Sequence, residues 1–236
     1  MREIRVKLIE RIPRTPSVES FRFSAEQRLD FLPGQFLQLL FDPARPENRE
    51  LNKYLSFSAS PAREYLEVTK RIGDSAFSRQ LASLQAGQEV VIKAPMGSCV
   101  FRDEYKKIGF LIGGIGITPV ISIVEYIIDK KLDTDVELFY SNRTENEIAF
   151  KQELAGWQAQ NKNFKVYYTV TDCRPKDTKC FFGSIGKDLL EQKACNVEQR
   201  TMFIFGPPRM VDAMKVVSLE IGCPEKNIMT ESFIGY

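Results

Sequence analysis

The chain has 236 residues, 43% of them hydrophobic and 27% charged, and carries a formal net charge of +2. That size and composition suit one large or two small globular domains, without the basic surplus that nucleic-acid binding needs. It contains no histidine, so mechanisms built on a histidine base, a His–Ser or His–Cys nucleophile pair or a histidine metal ligand are excluded. The five cysteines, Cys99, Cys173, Cys180, Cys195 and Cys223, form no C-x-x-C pair, and no zinc, iron–sulfur or other metal site is expected. The N-terminus lacks a charged-then-apolar signal pattern, so the expectation is a cytoplasmic protein with reduced thiols.

In chain order, residues 1 to about 100 read as short strands between turns: Ile4–Ile12, Val18–Phe23, Gln35–Phe41, Tyr54–Ala59, Glu64–Lys70 and Glu89–Ile92. They are rich in β-branched and aromatic residues and punctuated by Pro-Gly or Asn. Only Asp74–Leu84 reads as a helix, with Phe77, Leu81 and Leu84 on one face. Six strands and one helix predict a small closed antiparallel β-barrel.

After a linker, Arg102–Lys107, the period changes. Apolar strand candidates (Ile108–Ile112, Val136–Tyr140, Phe164–Val170, Met202–Phe205, Asn227–Thr230) alternate with helical ones (Thr118–Asp129, Glu147–Asn161, Ile185–Gln192, Pro208–Ile221). Such alternation predicts an α/β doubly wound parallel sheet, which binds ligands at the carboxyl ends of its strands. The first strand ends in Gly113-Gly114-Ile115-Gly116-Ile117-Thr118-Pro119. A strand, a glycine turn and a helix start present backbone N–H groups to a dinucleotide pyrophosphate. Residues 108–124 carry no charge, but four glycines and a proline gathered there argue against a membrane span.

Six segments then resemble, in order, the motifs of the ferredoxin–NADP+ reductase family. They are Phe31–Phe36, Lys53–Pro61, Gly73–Ser78 with Leu81, Leu84 and Gly87, Gly113–Pro119, Phe205–Pro208 with Met210, and Glu231–Tyr236. The resemblance covers nearly the whole chain and implies an FAD-binding barrel domain over residues 1–101 and an NAD(P)-binding domain over 102–236. It places Lys53, Tyr54, Leu55, Ser56, Phe57 and Ser58 at the flavin, with Ser56 near the N5 atom that accepts hydride. It runs the backbone of Val68, Thr69 and Lys70 along the flavin, and sets Gly73, Ser75, Ala76, Phe77 and Ser78 at its pyrophosphate. Ser75 or Ser78 can equally serve as a plain helix cap. Gly114, Gly116, Thr118, Pro119, Ser141, Arg143, Gly206 and Pro207 fall to the nicotinamide nucleotide. Phe205, Glu231 and Phe233 fall beside the transfer site, with Phe233 covering the flavin's far face.

Three departures stand out. Lys53 replaces the family arginine at the flavin pyrophosphate and cannot make its bidentate fork. The ring-stacking tyrosine falls at Leu55, with Tyr54 one place earlier. Side chains alternate along a strand, so the two cannot both face the ring. Phe205 replaces the family cysteine beside the nicotinamide.

What the resemblance implies is an NAD(P)H oxidoreductase passing hydride across the interdomain cleft to FAD, and electrons on to an acceptor such as ferredoxin, flavodoxin or an oxygenase component. NADPH is preferred by a small margin, because Arg143 suits a 2′-phosphate and no acid sits at the strand tip itself. Two alternatives stay open: an NAD(P)H:flavin reductase that takes flavin as a substrate, and a non-catalytic nucleotide-binding subunit of a larger complex.

Overall fold

The structure is a computed structural model and describes residues 1–233; Ile234, Gly235 and Tyr236 of the closing motif lie outside the described residues. The chain divides into two compact units, Met1–Phe101 with Thr118–Asp129, and Arg102–Ile117 with the residues from Lys130 onward. Among the described residues no helix is long and apolar enough to cross a membrane.

The first unit contains β1 (Arg2–Thr15), β2 (Val18–Ala25), β3 (Phe36–Leu40), β4 (Asn52–Ser56), β5 (Leu66–Arg71), α1 (Ala76–Ser83) and β6 (Glu89–Met96). These strands form one antiparallel sheet in the order β4-β3-β6-β1-β2-β5. The sheet curls until its end strands meet at one antiparallel bridge, Phe57–Val68, where the Ser58 N–H donates to the Glu67 carbonyl at 2.8 Å. The expected antiparallel barrel is therefore present, closed at a single bridge rather than along a full ladder. Alternation along the strands turns Leu8, Phe21, Phe23, Leu37, Leu39, Val68 and Ile92 inward, and α1 adds Phe77 and Leu81. Burying each such side chain is worth about 1.5–3 kcal/mol.

Helix α2 (Ile117–Asp129) follows the glycine turn in sequence, yet its residues from Thr118 onward belong to this first unit. The reason is legible in its contacts. Tyr126 meets Phe101 edge-on at 6.2 Å, and Glu125 and Asp129 bind Arg63. Gly34 supplies the needed clearance, because a Cβ there would lie 3.4 Å from Ile123 and 2.6 Å from the Cys99 carbonyl. Its φ of +101° also fits only glycine comfortably, after Pro33 in a tight turn closed by Gln35 N–H to the Leu32 carbonyl at 3.0 Å.

The second unit contains β7 (Lys107–Gly113), β8 (Asp135–Asn142), α3 (Lys151–Gln160), β9 (Phe164–Val170), β10 (Cys180–Phe182), α4 (Lys187–Lys193), β11 (Thr201–Gly206), α5 (Pro208–Glu220) and β12 (Ile228–Ser232). The sheet is parallel throughout, in the order β10-β9-β8-β7-β11-β12. Strands β8 and β11 flank β7 on opposite sides, so the winding reverses at β7 and the carboxyl ends of β7 and β11 stand together. Residues from α4 and α5 (Leu190, Val211, Met214) pack on the face carrying Leu111, Phe139, Met202 and Ile204. Helix α3 lies toward the opposite face, where Lys151 approaches the Tyr168 ring. At the amino ends of the strands Arg200, 1% exposed, binds Asp135 at 2.6 Å, Glu137 at 3.1 Å and the Ile108 carbonyl at 3.1 Å.

Beyond small shifts at the ends of other elements, two departures from the sequence expectation stand out. Strand β10 was not expected, because its three residues follow a long polar loop and sit at a sheet edge. Helix α3 begins at Lys151 rather than Glu147, because Phe150 takes a left-handed conformation (φ 60°) and residues 145–147 form a separate short turn.

Candidate functional site

In the first unit, the flavin-side candidates gather where the two ends of the curled sheet approach. Lys53, on β4, is close enough to Lys70, on β5, that its charge disfavours the charged form of Lys70. Burial first, then Lys53 and Arg71, lowers the Lys70 pKa. The Lys70 ammonium donates to the Arg71 carbonyl at 3.1 Å, and no carboxylate among the described residues pairs with it. A desolvated ammonium beside two further cations is stabilised by an anion. Helix α1 starts a few residues later in the chain. Its Ser75 cap accepts from the Ser78 N–H at 3.2 Å, so the capping role holds and that N–H is already engaged. The Ala76 and Phe77 N–H groups, in the first turn, have no intrahelical acceptor. Gly73, just before, has open space around it. Both the cationic cluster and, a few residues along the chain, the helix start with open donors have the chemistry that a pyrophosphate, and so FAD, requires.

Several candidates turn their side chains elsewhere. Phe57, Val68 and Phe77 are fully buried in the barrel core, so only their backbone can meet a ligand. Ser58 and Thr69 share a hydrogen bond of 2.7 Å; Ser58 also donates to Glu67 at 3.1 Å, and Thr69 bonds Ser20 at 2.6 Å. That buried network ends on Arg14 and Arg22, both bound to Glu67. Leu55 packs half-buried against the core, while Tyr54, 62% exposed, points outward with its ring edge-on to Phe36 at 5.8 Å. Ser56 is buried at the end of β4, paired with Phe36.

In the second unit, the turn after β7 and the end of β11 cross with backbone nearly touching backbone. A Cβ on Gly116 would collide with the Phe205 carbonyl, and one on Gly113 with the Met210 sulfur. A Cβ on Gly206 would come within 3.4 Å of the Gly113 nitrogen. Gly114 differs: it has φ +53° and nothing within 4 Å of its Cβ position, so its surroundings are open. Gly113, Gly116 and Gly206 are thus packing glycines, whereas Gly114 is not held by close neighbours. Pro207 caps α5 and Pro208 opens it, where the missing N–H costs nothing.

Phe205, Glu231 and Phe233 come together at the same strand ends. Phe205 pairs in register with Glu231, its ring lies 6.4 Å from Phe233, and the Phe233 N–H donates to the Gly206 carbonyl at 2.9 Å. Phe205 is fully buried. Glu231 Oε2 is buried with no hydrogen-bond partner among the described residues, and burial pushes the carboxyl up to about 7.

At the tip of β8, Ser141 is half-buried and Arg143 exposed. Glu145, the nearest acid in sequence, spends its carboxylate on the Lys176 and Asp177 N–H groups at 2.8 and 3.1 Å, which lower its pKa. Asn142, between Ser141 and Arg143, was passed over in the sequence. It is 5% exposed and neither of its amide atoms has a hydrogen-bond partner among the described residues. Its signal was the single amide closing an apolar strand.

Comparison with known proteins places this geometry. Residues 5–101 match the oxidoreductase FAD-binding domain and residues 110–216 the oxidoreductase NAD-binding domain. The chain belongs to the ferredoxin–NADP+ reductase family. Within the family it is 31% identical over 181 residues to NADH-cytochrome b5 reductase 1 of Dictyostelium discoideum, covering 75% of this chain and 63% of that protein. The fold matches the cytochrome b5 reductase domain of Ulva prolifera nitrate reductase, with TM-score 0.85 and 22% identity over 98% of this chain and 97% of that one. It likewise matches a ferredoxin NADP+ reductase from Neisseria gonorrhoeae with bound FAD and NADP, with TM-score 0.83 and 21% identity over 98% and 99%.

Proposed function

We propose that this chain is an FAD-dependent NAD(P)H reductase that prefers NADPH and hands electrons to a separate carrier, with residues 1–101 as its flavin domain and 102–236 as its nucleotide domain. The observation that carries the reading is the Lys53–Lys70 pair, a cationic site that an anionic cofactor satisfies, with the open donors of the α1 start following in the chain. FAD, when bound, supplies the N5 position that takes hydride from the nicotinamide. The chain's own residues bind and align. Lys53, Lys70 and the Ala76 and Phe77 N–H groups hold the pyrophosphate, and Ser56 presents its hydroxyl at the end of β4. Gly114, Thr118 and Pro119 receive the nucleotide, and Arg143 takes the 2′-phosphate. Phe205 and Phe233 exclude water. Glu231 holds a proton in the neutral range. Alignment and dryness, rather than histidine acid–base chemistry, then supply the rate.

The acceptor is a one-electron protein such as a ferredoxin, a flavodoxin, an oxygenase component or a cytochrome b5. A second reading draws on Lys53. Lysine makes no fork to phosphate, which favours exchange of flavin as a substrate. Purified protein followed by visible absorption under anaerobic conditions tests both. A bound-flavin spectrum that bleaches with NADPH faster than with NADH is the expected result. A colourless protein that reduces added flavin selects the second reading. Absence of bleaching in either case overturns both and leaves a nucleotide-binding subunit.

A further inference from the structure

The sequence motifs account for the ends of the segments they mark, not for what joins them. Helix α2, which opens with Thr118 and Pro119, is tied to the end of the Lys53–Pro61 segment by one carboxylate. Glu125 Oε2 accepts the Ser60 backbone N–H at 2.5 Å, and its Oε1 accepts from Arg63 Nε and Nη2 at 3.0 and 2.7 Å. Arg63 Nη2 also reaches Asp129, one turn along α2, at 3.3 Å. The Glu125 side chain is 13% exposed, so this is not a solvent-screened surface pair. Hydrogen bonds to a largely desolvated carboxylate are among the stronger ones. Arg63 is shaped by the same contact, its pKa raised first by the hydrogen bond to Glu125.

The contact is a backbone-to-side-chain clamp four residues beyond Ser56. The Ser60 N–H has one direction in space, fixed by the strand that leads to it. The Ser58–Glu67–Thr69 network holds that strand end from the barrel side. Glu125 holds it from the helix side. Nothing in the packing of α2 on the barrel alone requires a carboxylate here: Ile123 near Gly34 and Tyr126 on Phe101 already bury the apolar face. What the carboxylate adds is register, because it fixes α2 along its axis against the Ser56–Ser60 backbone.

Resting on the reductase reading above, we infer that Glu125 is a positioning residue for hydride transfer, which sets the Thr118–Pro119 turn in register with Ser56 through the Ser60 amide and Arg63. In the step concerned, NAD(P)H gives up a hydride, with both its electrons, to the flavin and leaves as NAD(P)+. Glu125 touches neither partner and exchanges no proton.

The test compares wild type with Glu125→Ala, Glu125→Gln and Arg63→Ala as full chains. Hydrogen exchange of the Ser60 amide in flavin-free protein reads the clamp without any turnover, and is expected to speed by about tenfold in Glu125→Ala. In flavin-loaded protein, anaerobic stopped flow should show hydride transfer at saturating NADPH slowed by about tenfold or more, since small misplacements are costly. Flavin content and the KM for NADPH should stay within about twofold, and Glu125→Gln, which keeps an acceptor for Ser60, should lose only about threefold. Arg63→Ala leaves Glu125 in place and should fall between wild type and Glu125→Ala, which keeps the inference testable if the alanine variant does not fold. Faster Ser60 exchange with an unchanged transfer rate overturns the inference and leaves the reductase reading standing. Loss confined to KM or flavin content also overturns it. A wild-type protein whose flavin never bleaches overturns both.

Discussion

A glutamate on an edge strand ordinarily sits in water and ionises near its unperturbed value of about 4.3. Glu231 is on such a strand, yet the surrounding protein buries Oε2 and lifts the carboxyl to about 7. A carboxyl raised on folding binds more protons folded than unfolded, so its contribution to stability is fully present below the unfolded value and is lost as pH rises through about 7. Urea midpoints taken from pH 5 to 8 should therefore fall for the wild type and fall less for Glu231→Gln, and parallel curves would remove the burial account. Arg143 poses the other residue-scale question. It is exposed, and Glu145, the nearest acid in sequence, is turned to the 176–177 backbone. Arg143→Ala should lower kcat/KM for NADPH by about tenfold and leave NADH within about twofold. Equal losses would take Arg143 out of the phosphate site. Neither Glu231's burial nor Glu145's occupation could be read from the sequence, because both depend on neighbours far away in the chain or on backbone donors that leave no residue signature.

Elements were legible wherever local pattern and tertiary need agreed. Phe164–Val170 was read with the bounds the structure gives it, since a β-branched and aromatic run between polar loops has one comfortable conformation. The glycine turn was legible as a turn, but the sequence could not say which glycine faces a ligand. The structure separates them by what a methyl group would meet. Gly116→Ala drives Cβ into the Phe205 carbonyl, backbone against backbone, with no flexible side chain to give way. Gly114→Ala meets open space and suffers only its left-handed φ of +53°. The expected stability losses are about 3 kcal/mol for Gly116→Ala and about 1 kcal/mol for Gly114→Ala. Nucleotide affinity should follow a different order from stability, because a methyl on Gly114 intrudes where the proposed nucleotide contact lies. Denaturation midpoints and NADP+ titrations on both variants check this, and equal midpoints would mean that the crossing of β7 and β11 tolerates a methyl group. The Tyr54/Leu55 register was open in the sequence because alternation says only that the two differ in face. The structure turns Leu55 to the core and Tyr54 to solvent.

At the scale of the whole molecule, one boundary in sequence is not one boundary in space. The expected division at residue 101 follows the change of period from strands to strand–helix units, but Thr118–Asp129 belongs with the first unit. The pattern could not reveal this, because an amphipathic helix advertises that it buries a face and not against what. Tyr126 on Phe101 and Glu125 on Ser60 and Arg63 decide it. A measurable consequence follows for ligand-linked stability, since a ligand stabilises what its binding requires to be folded. If α2 were part of the second unit alone, NADP+ would slow hydrogen exchange in residues 113–118, 141–143, 205–207 and along α2 together, and FAD would leave α2 untouched. With α2 clamped to the Ser56–Ser60 segment, FAD should slow exchange in β4, β5, the start of α1 and also in the first turns of α2. Flavin at about 100 times its Kd adds about 2.7 kcal/mol to whatever opens with the flavin site, enough to slow those amides by about a hundredfold. Protection of Val120–Val124 by FAD in the absence of any nicotinamide nucleotide is the decisive reading. Its presence makes α2 part of the flavin-binding unit, and its absence returns the helix to the sheet that precedes it in the chain.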